Sequence, residues 1–197
     1  MTVSAKEIAE LRAKTGIGMM ECKKALVEAD GDEARAMEIL KKKGVAKSEK
    51  RADRETKNGI IESYVHSNNQ IGVLIEVLAE TDFVAKNDEF KEFAHDVALH
   101  IAAMNPTYLS EKDIPVAEVE SRKAEFAEEL KDSGKPAEII AKIVDGKLQK
   151  FYSELCLMDQ LYVKNDKMTI TDLLNEKIAK IGEKIVISRF VRYQIGE

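Results

Sequence analysis

Cysteine occurs twice and histidine three times in 197 residues. Cys22 and Cys156 lie far apart along the chain, so one chain cannot assemble from them a multi-disulfide framework or a thiolate zinc cluster. Both read as reduced thiols of a cytoplasmic protein. His95 and His100 stand five apart on one helical pattern, a spacing that does not put them squarely on one face. They read as surface or partly buried helix residues, and neither a metal nor a cofactor is expected. Long apolar runs are missing too: no segment is long enough to span a bilayer. The opening MTVSAKEIAELRAK carries Lys6, Glu7, Glu10 and Arg12 where a signal peptide would need an uninterrupted apolar core.

Familiar enzymatic constellations fail in the same way. TGIGMME matches a dinucleotide fingerprint only at Gly16 and Gly18; Glu21 takes the third glycine position and no strand pattern precedes it. SGKP has Gly134 and Lys135 but no upstream glycine at phosphate-loop spacing, and Pro136 stands where a magnesium-binding hydroxyl belongs. Glu80 and Asp82 are neighbouring acids with no pocket in view to split their pKa values, so they read as positioning groups. No catalytic residue emerges. The net charge of −5 opposes nucleic acid and anionic membrane surfaces.

The chain does hold 44% hydrophobic and 34% charged residues, enough for a packed core under a soluble surface and for one or two small domains. Residues 1–45 read as three short helices. Ser4 with Glu7 fits a capping box ahead of Ile8 and Leu11, and TGIG breaks the first helix at Thr15 to Gly18. A second helix carries Met19, Met20, Cys22, Lys23, Leu26 and Val27; a third begins at Asp32, with Met37 and Leu40 at helical spacing. Residues 46–58 continue a basic stretch, KKKGVAKSEKRADRETK, with interleaved acids and no aromatic for base stacking; it reads as a solvated connector, helical in part.

From Gly59 the period changes to two. GIIESYVH and IGVLIEVLA, separated by the turn-forming SNNQ, have the pattern of a hairpin. Phe90, Phe93, Ala94, Val97 and Ile101 then mark an amphipathic helix ended by Asn105 and Pro106. About residues 116–155, two helical patterns meet at SGKP, a joint short enough to make them antiparallel. A short helix from Thr171 leads to KIVISRFVRYQI, an alternating strand that could complete the sheet. The fold class is therefore α+β, with residues 59–197 as one core.

Two stretches, LRAKTGIGMMECKKAL (Leu11 to Leu26) and ETDFVAKN (Glu80 to Asn87), resemble the two signatures of the bacterial elongation factor Ts family, guanine-nucleotide exchange factors for elongation factor Tu. SGKPAEIIAKIVDGKLQKFY and RFVRYQIGE match as well, so the resemblance spans essentially the whole chain. It implies an N-terminal ubiquitin-associated-like three-helix domain, an antiparallel-sheet core with packed helices, and a projecting antiparallel helical hairpin. Glu21 departs from the family's usual Asp while keeping its charge. The chain has one core unit where longer members have two, which implies the short form and, with it, an isologous homodimer.

By the same resemblance, the loop Thr81, Asp82, Phe83, Val84 enters the partner GTPase and dislocates its magnesium. Arg12, Met19, Met20 and Lys23 contact a partner helix, with core packing as the competing reading of the two methionines. His66, at the hairpin corner, is a further contact, supplied in trans by the second copy, or else an ordinary turn residue. Elongation factor Tu, GDP-bound or nucleotide-free, is the implied partner, with no direct nucleic acid and no membrane. A ubiquitin-associated-type adaptor without exchange activity is the alternative.

Overall fold

The computed structural model describes residues 3–196, apart from the side chain at position 132. Those residues form eight α-helices, a three-stranded sheet and a two-stranded ribbon, an α+β fold. Contacts divide the chain into two units, the first made of residues 1–63, 75–96 and 172–189, the second of residues 64–74, 97–171 and 190–197.

In the first unit, α1 (Ala5–Thr15) starts at a capping box, in which Ser4 Oγ accepts the Glu7 N–H at 3.2 Å and Glu7 Oε2 accepts the Ser4 N–H at 2.7 Å. It stops at Gly16, whose φ of 66° suits glycine and whose N–H reaches the Arg12 carbonyl at 2.7 Å. α2 (Met19–Glu28) and α3 (Glu33–Glu49) complete a bundle around Leu11, Ile17, Cys22, Ala25, Leu26, Ala36 and Leu40. Asp32 caps α3 by accepting the Arg35 N–H at 3.0 Å.

α3 runs on through Glu49, well into the basic stretch. The reason is tertiary. Gly44 is buried against α8 (Ile170–Ile181), with Ala179 Cβ 3.4 Å from where a glycine Cβ would stand, and Lys41 pairs with Asp172 at 3.0 Å. A missing side chain at position 44 lets the two helices approach.

β1 (Asn58–Val65), β2 (Ile71–Ala79) and β5 (Ile185–Gln194) form the sheet in the order β1-β2-β5. β2 buries Val73, Ile75, Val77 and Ala79 while Leu74 faces out, the alternation of a one-sided sheet. α4 (Asp82–Lys86) follows β2 directly, and α5 (Asp88–Met104) buries Phe90, Phe93, Ala94, Val97 and Ile101, the residues its period singles out.

In the second unit, α6 (Val116–Glu128) and α7 (Ala137–Leu155) pair: Arg122 lies 5.6 Å over the Phe151 ring and Lys147 5.2 Å over the Phe126 ring. The residue pairs run in opposite directions along the two helices. β3 (Leu161–Tyr162) and β4 (Asn165–Thr169) form a small antiparallel ribbon that the sequence reading did not foresee. His100, expected at the surface or partly buried, is fully buried, because Gln160 supplies a polar partner at 3.0 Å. Among the described residues, no helix is long and apolar enough to cross a membrane.

Candidate functional site

Thr81, Asp82, Phe83 and Val84, read as a loop, are the cap and first turn of the five-residue helix α4. Thr81 is extended, at φ −122° and ψ 158°, and its hydroxyl oxygen accepts the Val84 N–H at 3.4 Å. Asp82 occupies the first helical position, where a negative charge suits the helix dipole. Its carboxylate accepts from Lys86 one turn on, at 2.6 Å. That hydrogen bond, then the charge of Lys86, holds the Asp82 carboxyl below the usual range. Ala85 is the buried member of the helix, so Phe83 is turned outward, 81% exposed.

The start of α4 is braced from the connection between α8 and β5. Glu183 accepts the Thr81 N–H at 3.0 Å and the Thr81 hydroxyl at 2.7 Å. Glu80 accepts the Lys184 N–H at 2.6 Å and Arg54 Nη1 at 3.0 Å, and its own carbonyl accepts Asn58 Nδ2 at 2.8 Å. Burial pushes the Glu80 carboxyl up, but the Lys184 N–H and Arg54 outweigh it and hold the group below its ordinary value. Glu183 was missed in the sequence. Gly182 after a helical pattern marks a chain exit there, but nothing local says what the next carboxylate meets.

On the helices flanking the Gly16–Gly18 corner, Arg12 and Lys23 are exposed, as are Met19 at 47% and Met20 at 63%. The neighbouring Cys22, Ala25 and Leu26 fill the bundle interior instead. Core packing does not account for either methionine.

His66, in the second unit, sits on the β1–β2 turn, exposed, its Nδ1 3.1 Å from the Tyr64 hydroxyl. Its carbonyl accepts the N–H of Asn69, whose φ is 56°. Both cysteines are free and buried. Burial first, then the charges of Asp159, Glu111 and Asp113, push the Cys156 thiol up to about 12. Among the described residues, no group of three or more histidines, cysteines and carboxylates could hold a metal ion.

The family model described as Elongation factor TS matches residues 5–197. An elongation factor Ts of Fervidobacterium nodosum is 53% identical over 197 residues, covering 100% of both chains. One of Thermosipho melanesiensis is 51% identical over 195 residues, 99% of this chain and 100% of its own, and one of Alkaliphilus oremlandii is 51% identical over 197 residues, 100% of this chain and 91% of its own. With its two signature stretches folded as an exposed-methionine helix and a capped helix bearing an outward phenylalanine, the chain belongs to the elongation factor Ts family of translation elongation factors.

Proposed function

We propose that this protein is a non-enzymatic guanine-nucleotide exchange factor that binds elongation factor Tu, GDP-bound or nucleotide-free, in the cytoplasm, without contacting nucleic acid directly. The observation that carries the reading is the 81% exposure of Phe83 on a helix whose first turn is held from several sides. A stiff aromatic on a braced backbone loses little conformational entropy when it enters a partner.

Magnitudes define what such a wedge has to do. Burying one Phe side chain contributes roughly 1.5–3 kcal/mol, whereas weakening nucleotide affinity by about 10⁴ needs about 5.5 kcal/mol. Burial alone falls short. Thr81, Asp82, Phe83 and Val84 therefore act by displacing partner elements that hold magnesium, since the ion and the phosphate loop supply much of the grip on the diphosphate. The coupling is reciprocal: the factor loosens GDP by the ratio by which GDP loosens the factor.

Arg12, Met19, Met20 and Lys23 serve as the handle, a reading supported by the exposure of both methionines, whose flexible thioethers adapt to a helix groove. Residues 1–45 act as a ubiquitin-associated-like domain, residues 46–58 as a connector and residues 59–197 as the core, with the paired helices of about residues 116–155 projecting as a hairpin. The protein is a homodimer in which His66 of one copy and Phe83 of the other meet the same partner. The exposed Val65, Tyr193 and Ile195, at 63%, 71% and 74%, support an interaction between copies.

Release of fluorescent GDP from elongation factor Tu tests the reading. Phe83→Ala should lower the stimulated rate sharply and leave the free protein folded. Undiminished release would refute it.

A further inference from the structure

Thr81 has two hydrogen-bond donors, its backbone N–H and its hydroxyl, and both end on one carboxylate 102 positions away, at 3.0 Å on Glu183 Oε2 and 2.7 Å on Glu183 Oε1. The same hydroxyl oxygen must also cap α4 by accepting the Val84 N–H, and it does so at a long 3.4 Å. A hydroxyl has one proton. With that proton committed to Glu183, the hydroxyl's lone pairs stay free to accept the Val84 N–H, so the brace and the cap are compatible. The charge-assisted bonds to Glu183, at 2.7 and 3.0 Å, are also the stronger restraint on where Thr81 sits.

The grip is mutual. Glu80 takes the Lys184 N–H at 2.6 Å, so the dipeptides Glu80-Thr81 and Glu183-Lys184 hold each other by exchanged carboxylate-to-amide bonds. Gly182, at φ 87° with its N–H on the Ile178 carbonyl at 3.0 Å, turns the chain out of α8 and delivers Glu183 to this place. All of these residues belong to the first unit.

We propose that Glu183 is the positioning residue for Phe83: by receiving both donors of Thr81 it fixes the first turn of α4, and with it the direction in which the benzyl group leaves the protein. The inference rests on the exchange reading above. It makes a chemical demand that shape alone does not. Glutamine has the volume of glutamate but one acceptor oxygen, and its NH₂ would face a donor, so one Thr81 donor loses its partner.

The test is stimulated release of fluorescent GDP from the partner GTPase, with the full-length chain titrated so that the maximal rate and the half-saturating concentration are obtained separately. Glu183→Gln, Thr81→Val, their double variant and Phe83→Ala are compared, and each is checked for folding by thermal unfolding. Glu183→Gln should lower the maximal rate roughly five- to tenfold, the scale of a lost cap or charge-assisted bond, with the half-saturating concentration unchanged. The double variant should release no more slowly than Thr81→Val alone, because both changes break one arrangement.

A parent-like rate for Glu183→Gln beside a slow Phe83→Ala would overturn the positioning role and leave the exchange reading intact. So would a loss confined to half-saturation, or losses that multiply in the double variant. A parent-like rate for Phe83→Ala would overturn both. If Glu183→Gln does not fold, Thr81→Val decides by the same rate criterion.

Discussion

His100 accepts the Val163 N–H at Nδ1, 3.2 Å away, and that contact fixes the state of the ring. Nδ1 carries no proton when it accepts, so Nε2 carries it and donates to Gln160 Oε1 at 3.0 Å. Gln160 in turn donates to the Glu154 carbonyl at 2.8 Å, which sets the orientation of its amide. Only neutral imidazole serves both neighbours.

Stability should therefore depend on pH through this group. Burial pushes the His100 pKa below its ordinary 6.5, against the opposing effect of Gln160. As pH falls through 6.5 the unfolded chain takes up the proton first, so the contribution is complete above that value and is lost on the way down to the folded-state pKa. Thermal unfolding from about pH 8 to about pH 5 should show Tm declining over this window, above the ordinary carboxylate range. His100→Gln should start lower and stay flatter. Equal slopes in parent and variant would assign the dependence to other groups.

Gly59 on β1 has no room for a side chain. A Cβ there would stand 2.9 Å from Leu78 Cα and nearer still to the Val77 carbonyl oxygen, both backbone atoms of β2 that cannot swing aside. Gly59→Ala should cost about 1–3 kcal/mol, as overpacking does. Gly72, with no atom within 4 Å of a Cβ, provides the contrast, and its Ala variant should stay within about 0.5 kcal/mol. Urea unfolding midpoints measure both, and equal midpoints for the two variants would contradict the steric account.

Replacing Met19 and Met20 with serine should leave the stability of the free protein within about 0.5 kcal/mol, since both side chains are exposed while Cys22 and Leu26 carry the packing. Association with the partner GTPase should weaken, chiefly through faster dissociation. Unfolding of the free variant would restore the core-packing reading; unaltered dissociation would remove the methionines from the interface.

Local features were legible because their physics is local. The Ser4–Glu7 box spans three positions, Asp32 caps α3 within three, and the period of α5 is written in Phe90, Phe93, Val97 and Ile101. The β1–β2 pairing follows from two alternating runs and a turn in which Asn69 takes positive φ. α4 was not legible as a helix, since its five residues are too few to show a period. β3 and β4, of two and five residues, are too short to show alternation.

The sequence by itself determined where the longer helices and the strands of the three-stranded sheet lie, which of their faces are apolar, and which two stretches carry the family likeness, because these depend on residues within a turn or two of one another. Tertiary structure decided the rest. Gly44 meets Ala179, His100 finds Gln160 at a separation of 60 residues, and Thr81 finds Glu183 at 102. Such pairings are chosen by packing and by the cost of leaving a polar group unpaired, and no short-range pattern records them.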